Sequence, residues 1–265
     1  MAERERTYRL TQQGRDAWER EDLAVPADYR RMLWVMDFQG HAGVLRDFLQ
    51  RYPGKLLDAW LGEMEELGLI EAVPEGEAQG GFGLPRADQT IALGQGNLSK
   101  ETVSASGALA RTGAYVATDR VGARPAVRKP PAECAVLIVE DDPDQLALAD
   151  LRVSMAGYQV RVATSVNGFL HSILELGAPD VLLLDVMLPD GDGFAVLERM
   201  RRHPVLGSLP IVMLTARNDP ADIGRGLVLG ADAYVTKPYT KNILADVIRR
   251  VLGGRAEDAA GRTSG

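Results

Sequence analysis

The sequence is short of cysteine, of net positive charge and of long apolar runs. Its 265 residues contain one cysteine, Cys134, so an internal disulfide and a zinc site built from several cysteines are excluded. The formal net charge of −7 argues against a generally basic nucleic-acid-binding protein. The absence of these features favours an ordinary globular protein without a disulfide framework.

Signals for export and for membrane insertion are also missing. The first ten residues, MAERERTYRL, are charged and contain no apolar core, so the sequence predicts no secretory signal. No apolar run reaches the roughly 18 residues that a membrane-spanning helix needs. We therefore expect no membrane partner and a cytoplasmic, reducing location.

Composition changes along the chain and predicts two domains. Residues 1–73 contain all three tryptophans and apolar residues at helical spacing. Residues 74–131 are rich in glycine and proline and show no sustained period, which predicts a flexible linker because such a stretch buries too little apolar surface to offset its ordering entropy. The patterning returns over residues 132–253, a second domain, and residues 254–265 are predicted to be a disordered tail.

The second domain alternates short apolar runs with amphipathic segments. The runs are AVLIV (135–139), YQVRVA (158–163), VLLLD (181–185), IVMLT (211–215) and AYVTK (233–237). Continuous Val, Ile and Leu runs are typical of strands buried on both faces, which favours a parallel sheet. Helices are predicted over about 143–156, 166–176, 193–202, 220–229 and 240–251. Together they predict an α/β, doubly wound domain with helices on both faces of the sheet.

Polar residues stand where four of these runs end. They are Glu140, Asp141 and Asp142 after the first run, Asp185 in the third, Thr215 in the fourth and Lys237 in the fifth. Because the carboxyl ends of parallel strands meet at one edge, these side chains are expected to converge, and an all-oxygen set suits Mg²⁺. Capping of the first helix is an alternative role for Asp141 and Asp142, but it leaves Asp185, Thr215 and Lys237 unexplained.

Residues 135–252 resemble the receiver domain of two-component response regulators. The motifs VEDD, LLDVMLPDGDG, MLTA and VTKP carry the resemblance, in the order and spacing of that family. The resemblance implies a flavodoxin-like (βα)5 fold. It also implies a phosphoacceptor signalling protein rather than a conventional enzyme, one that assists its own phosphotransfer and dephosphorylation.

The same resemblance implies roles for individual residues. Asp185 would accept a phosphoryl group from a sensor histidine kinase or a phosphotransfer protein. Asp141, Asp142 and Asp185 would hold Mg²⁺ together with the backbone carbonyl of Met187.

The remaining implied roles concern the switch. Lys237 would pair with the phosphoryl oxygens, Thr215 would hydrogen-bond to them, and Tyr234 would change rotamer. The family resemblance further implies a cis peptide bond before Pro238, and a phosphorylation-dependent homodimer is among the expected partners.

The N-terminal domain is predicted to be small and mainly helical. A strand over 7–10, a helix capped by Thr11 and helices near 27–38, Val44–Leu49 and 56–67 are expected, followed by a strand in LIEAV. The segment LLDAWLGEMEELGLIEAV resembles the closing helix and first wing strand of winged-helix domains. YRLTQQG resembles the segment that follows the wing there, so the order of the elements is rearranged.

The output of residues 1–73 has two interpretations. A phosphorylation-controlled DNA-binding regulator is the alternative that the winged-helix resemblance suggests. The domain has fourteen acidic and ten basic residues, and its best-marked helix offers Lys55 against four acidic side chains, so a protein partner fits at least as well. His41 could be a phosphotransfer histidine, but its flanking glycines favour a loop. A Mg²⁺-dependent phosphatase would need a cap domain, and the sequence shows none.

Overall fold

The computed structural model describes residues 8–20, 24–39, 54–73, 100–124, 126–127, 129–216 and 219–253. The chain forms two compact units, Met1–Arg86 with Arg202–Pro204 and Ala87–Arg201 with Val205–Gly265. The predicted helix near Val44, the His41 loop and the predicted tail at 254–265 lie outside the described residues. Among the described helices, none is long and apolar enough to cross a membrane.

The N-terminal unit pairs its first strand with its last. Its elements are β1 (Tyr8–Leu10), α1 (Gln12–Glu19), α2 (Ala27–Gln39), α3 (Gly54–Glu66) and β2 (Ile70–Ala72). β1 and β2 are antiparallel, with Arg9 opposite Glu71. As predicted, Thr11 caps α1: its hydroxyl accepts a hydrogen bond from the Gly14 amide at 3.0 Å and donates one to the Gly68 carbonyl at 2.6 Å. One threonine therefore joins the start of α1 to the end of α3.

The apolar stripe of α3 is buried over its central turns only. Leu57, Leu61 and Met64 are buried, whereas Leu56 and Leu67 at its ends are exposed. Trp18 and Trp34 are buried, while Trp60 is half-buried. The winged-helix arrangement stays a prediction.

The C-terminal unit contains the predicted doubly wound sheet. Its main elements are β4 (Ala135–Val139), α6 (Pro143–Met155), β5 (Gln159–Ala163), α7 (Val166–Leu176), β6 (Val181–Asp185), a hairpin of β7 (Met187–Leu188) and β8 (Gly191–Asp192), α8 (Gly193–Arg202), β9 (Ile211–Thr215), α9 (Pro220–Leu229), β10 (Ala233–Thr236) and α10 (Ile243–Val251). Strands β5, β4, β6, β9 and β10 lie in that order and are parallel. The five predicted strands and five predicted helices are confirmed to within three residues at their ends.

The predicted linker is wrong for residues 100–124, which we call the edge segment. They form α4 (Lys100–Thr112), β3 (Ala114–Val116) and α5 (Thr118–Gly122). β3 pairs antiparallel with β10 and gives the sheet a sixth strand. Gly113, with φ +75°, makes the reversal between α4 and β3 that a side chain would strain. The sequence gives little sign of β3, because AYV lies in a segment rich in glycine and proline and its partner β10 is distant in the chain.

Glycines in α9 allow neighbouring elements to approach closely. A Cβ at Gly226 would overlap the hydroxyl of Tyr234 on β10, and one at Gly224 would lie 3.2 Å from the Thr102 side chain of α4. These glycines therefore have a packing role, although they lower the helix propensity of α9.

A buried ion-pair network ties the edge segment to the rest of the sheet. The Asp232 carboxylate, just before β10, is fully buried and accepts hydrogen bonds from Arg124 and, at 2.8 Å, from Arg201. It also accepts from the Ile211 amide at 2.8 Å. Burial lowers the pKa of Arg201 to about 10, an effect that the charge of Asp232 opposes. The network joins the edge segment, α8 and β9 at one carboxylate.

Removing that carboxylate should be costly for stability. We expect Asp232→Ala to lower the free energy of unfolding by about 3–5 kcal/mol, because two largely buried guanidinium groups lose their counter-ion. Urea denaturation followed by circular dichroism measures this loss. Asp246→Ala is the matched control: it breaks an exposed pair with Arg249 and should cost about 1 kcal/mol or less. Equal losses in the two variants would contradict the role given to Asp232.

Candidate functional site

Four strands bring polar residues to the carboxyl edge of the sheet. Glu140 follows β4, Asp185 ends β6, Thr215 ends β9 and Lys237 follows β10. The parallel register aligns the ends of the strands, and Asp185 lies opposite Leu214 of β9. Glu140, Asp185 and Thr215 are each less than a tenth exposed. Asp185, Thr215 and Lys237 therefore lie at the same edge of the sheet, as predicted.

The side chain of Lys237 lies between two carboxylates. Its Nζ is 2.5 Å from Glu140 Oε2 and 3.0 Å from Asp185 Oδ2, and the side chain is 12% exposed. The Lys237–Pro238 peptide is cis, as the family resemblance implied. One ammonium group thus offsets part of the repulsion between carboxylates that come from two different strands.

The carboxylate cluster differs by one residue from the predicted one. Ligand atoms of Glu140, Asp141 and Asp185 lie within 4.8 Å of one another. The Asp142 carboxylate instead caps α6, accepting hydrogen bonds from the amides of Asp144 at 2.9 Å and Gln145 at 3.0 Å. The Asp142-Pro143 pair is an N-cap followed by proline at the first helical position, a signal that identifies the cap from sequence.

The electrostatics of Glu140 are unusual for a carboxylate. Its complete burial raises its pKa, the hydrogen bond from Lys237 lowers it, and the charge of Asp185 raises it. Its Oε2 also accepts a hydrogen bond from the Tyr239 hydroxyl at 3.4 Å, whereas its buried Oε1 has no hydrogen-bond partner within the described part of the chain. Three oxygen-donor side chains, one with a free buried oxygen, fit a hard divalent cation.

The other predicted site residues flank this cluster. The Lys237 amide donates a hydrogen bond to the Thr215 carbonyl at 2.8 Å, so the two residues are joined through the backbone. Tyr234 is fully buried, and its hydroxyl lacks a hydrogen-bond partner among the described residues. That burial raises its pKa. Met187 lies in β7, opposite Asp192, with an exposed side chain.

Two aspartates of the turn after Asp185 have capping roles. The Asp190 carboxylate accepts hydrogen bonds from the amides of Val166 at 2.7 Å and Asn167 at 2.9 Å, at the start of α7. Asp192 accepts one from the Phe194 amide at 2.8 Å and lies 3.3 Å from the guanidinium of Arg225 on α9. These contacts give the turn a structural role.

The comparison with protein families identifies the second unit. Residues 136–249 match the family model of the response regulator receiver domain. This segment is a response regulator receiver domain. The match covers the five parallel strands, their helices and the carboxylate cluster, and it begins after the edge segment.

Individual relatives are similar over the receiver domain only. Over 118 residues the chain is 41% identical to the transcriptional regulatory protein GltR of Pseudomonas aeruginosa, covering 44% of this chain and 48% of that protein. Identity to the transcriptional regulatory protein AfsQ1 of Streptomyces coelicolor is 42% over 118 residues, covering 44% and 51%. The chain spans about half the length of these curated relatives.

A solved structure shows the same extent of similarity. The signal receiver domain of a signal transduction histidine kinase from Syntrophus aciditrophicus is 32% identical, with a TM-score of 0.42. The similarity covers 49% of this chain and 95% of that one.

The two adjacent aspartates should respond differently to truncation. In the absence of divalent cations, we expect Asp142→Ala to lower the free energy of unfolding by about 1 kcal/mol because α6 loses its cap. Asp141→Ala should cost nothing, since it removes a charge from a cluster of like charges. Urea denaturation in EDTA compares the two variants, and a larger loss for Asp141→Ala would contradict the assignment of the cap.

Proposed function

We propose that this protein is a response regulator that accepts a phosphoryl group on Asp185 from a sensor histidine kinase or a phosphotransfer protein. The observation that carries the proposal is the contact of Asp185 Oδ2 with Lys237 Nζ at 3.0 Å, beside the cluster formed with Glu140 and Asp141. The receiver-domain match supports the same reaction. The protein would act as a phosphoacceptor that assists its own phosphotransfer and dephosphorylation, and a cytoplasmic kinase domain as donor would place the reaction in the cytoplasm.

The transfer uses the Asp185 carboxylate as nucleophile. One of its oxygens attacks the phosphorus of a phosphohistidine, the P–N bond of the donor breaks, and the electron pair returns to the imidazole nitrogen. Lys237 is already within contact distance, so its ammonium can neutralise charge on a phosphoryl oxygen without a large rearrangement. The Thr215 hydroxyl, at the end of the neighbouring strand, would donate a hydrogen bond to another of these oxygens.

The cluster would hold Mg²⁺ through Glu140, Asp141 and Asp185, with the backbone carbonyl of Met187 as a further ligand. When bound, Mg²⁺ would supply positive charge that offsets the negative charge on the phosphoryl oxygens. Asp142 is left out of this ligand set because its carboxylate accepts two backbone hydrogen bonds. Glu140, which has a carboxylate oxygen within 4.8 Å of the ligand atoms of Asp141 and Asp185, takes its place.

Phosphorylation would be read out through β9 and β10. The phosphoryl group adds roughly two negative charges next to Thr215 and Lys237, and movement of these groups would change the packing of Tyr234 against Gly226 of α9. Such a local change at a close contact can favour one of two packings of a helix. The switched receiver would then control a partner through residues 1–73, or through a phosphorylation-dependent homodimer.

Labelling with a small phosphodonor tests the acceptor. We expect acetyl phosphate with Mg²⁺ to label the wild-type chain and to give no label on Asp185→Asn, because the amide is a poor nucleophile. EDTA should abolish labelling and Asp141→Ala should reduce it. Phos-tag electrophoresis or intact-mass spectrometry provides the readout.

Asp150→Asn is the matched control for this experiment. Asp150 is on α6, where it accepts a hydrogen bond from the Ser154 hydroxyl at 2.9 Å, away from the cluster. It should label like the wild type. Full labelling of Asp185→Asn would overturn the assignment of the acceptor.

DNA is the second candidate partner for residues 1–73, and the names of the transcriptional relatives favour it. The charge of this unit opposes it. The first turn of α3 carries Lys55, whereas Asp58, Glu63, Glu65 and Glu66 follow along the same helix, so its surface would repel phosphates. We therefore favour a protein partner.

A mobility-shift experiment distinguishes the two partners. We expect no shift of random-sequence duplex DNA at about 50 mM salt, where phosphate contacts are strongest, by either the phosphorylated or the unphosphorylated protein. Arg30→Glu combined with Arg31→Glu on α2 serves as the comparison, because it removes a candidate basic patch. A shift by the wild type that these substitutions abolish would favour DNA instead.

A further inference from the structure

The edge segment bonds to the strand that carries the catalytic lysine. Along β3, Tyr115 lies opposite Tyr234 of β10. At one end of this pairing the Thr236 amide donates to the Gly113 carbonyl at 2.9 Å, and at the other the Ala117 amide donates to the Asp232 carbonyl at 2.8 Å. The edge segment thus holds β10 along its whole length.

These bonds reach the residue next to Lys237. The Thr236 amide is held by Gly113 of the edge segment, and the following amide, that of Lys237, is held by Thr215 of β9. The Thr236 hydroxyl also donates to the Gly113 carbonyl at 3.3 Å. The amides of Thr236 and Lys237 are therefore held from opposite sides of β10, by the edge segment and by β9. This fixes the backbone from which the Lys237 side chain reaches Asp185.

The edge segment also confines Tyr234. Opposite residues of an antiparallel pair share a face with their Cβ atoms about 5 Å apart, so Tyr115 stands beside Tyr234 on the face covered by α9. The Tyr115 hydroxyl is 3.4 Å from Glu101 of α4. The Tyr234 hydroxyl is directed at Gly226 of α9, and α4 packs on that helix at Gly224.

Side-chain contacts outside the three-residue strand β3 also attach the edge segment to the rest of the C-terminal unit. Arg124, at the end of the edge segment, pairs with the fully buried carboxylate of Asp232. Arg120 donates to the Leu227 carbonyl of α9 at 3.2 Å. Ala105 and Leu109 of α4 are buried. Because side-chain contacts reinforce the strand pairing, a change in the position of β10 can be transmitted to the edge segment, and a change in the edge segment can be transmitted to β10.

We propose that the edge segment is a positioning element for Lys237, and that its pairing with β10 and the phosphorylation of Asp185 strengthen each other. The inference rests on the proposed function. The pairing holds the backbone of Thr236 and Lys237 where the lysine meets Asp185, so it favours the phosphorylated state. By thermodynamic reciprocity, a phosphoryl group that engages Lys237 must favour the pairing by the same factor.

The proposal also bears on the expected homodimer. β3 occupies the outer edge of β10, where a strand of a second copy would otherwise add to the sheet. A dimer formed through strand addition to β10 would require release of the edge segment, so a phosphorylation-dependent homodimer would have to use another surface.

Two proline variants distinguish loss of the pairing between β3 and β10 from a general loss of stability. Ala117 has φ −75°, which proline accepts, so Ala117→Pro removes the amide that donates to Asp232 without straining the backbone angle. Thr118→Pro is the control, because Thr118 is the exposed first residue of α5, where an amide lacks an intrahelical partner. We expect Ala117→Pro to slow labelling by acetyl phosphate and Mg²⁺ roughly five-fold or more, and Thr118→Pro to label like the wild type.

Hydrogen–deuterium exchange of the full chain tests the coupling, because a strand with a purely structural role would exchange at the same rate with and without a phosphoryl mimic. Beryllofluoride with Mg²⁺, a phosphoryl mimic, should slow exchange of the amides in residues 113–117 roughly five-fold or more in the wild type. It should not do so in Asp185→Asn. Unchanged exchange in a wild-type protein that is labelled normally would overturn this inference while leaving the proposed function intact, whereas a wild type that takes no label would overturn both.

Arg124→Ala provides a second route to a loosened edge segment. It removes the ion pair with Asp232 at the C-terminal end of the edge segment and leaves the hydrogen bond from the Ala117 amide in place. Faster exchange in residues 113–117, accompanied by slower labelling, would support the proposal. Faster exchange with labelling at the wild-type rate, in either Arg124→Ala or Ala117→Pro, would overturn it.

Discussion

The contact of one lysine with two carboxylates organises the C-terminal unit. Lys237 can meet Glu140 and Asp185 only if β10, β4 and β6 all end at the same level, and the parallel register provides that alignment. The apolar runs of these strands are buried on both faces and keep the sheet rigid. The chemistry at the edge therefore depends on the hydrophobic interior, because a shift of one strand would separate the charges.

The edge segment is held by a different combination of forces. Its strand has three residues and its apolar contribution is small, so backbone hydrogen bonds and the buried carboxylate of Asp232 provide much of the attachment. Ion pairs with this degree of burial stabilise one geometry over others, since displacement of either partner leaves an uncompensated charge. Attachment at the outer edge of β10 places the segment next to the lysine without contributing a side chain to the site.

The sequence predicted the receiver unit well because its strands carry a strong local signal. Runs such as IVMLT are continuous and apolar, and the polar residues that end them point to one edge of the sheet. Asp185, Thr215 and Lys237 were selected in this way and lie at that edge in the structure, while their roles stay predictions. The predicted acidic pair differs by one residue from the pair in the cluster because the three carboxylates in VEDD are chemically alike, and the proline after Asp142 is the sequence signal that marks it as the cap. The edge segment was missed because its stability depends on β10, more than a hundred residues away in the chain.

The antiparallel pairing of β3 has a practical consequence for dividing this chain into fragments. A fragment that follows the family match and starts near residue 136 would lack β3 and would leave the outer edge of β10 unpaired, although β10 would still pair with β9. Exposed edges of this kind recruit strands from other molecules, so such a fragment would be prone to aggregation. A cut before Lys100 keeps the sixth strand, the Arg124–Asp232 pair and the hydrogen bonds between β3 and β10.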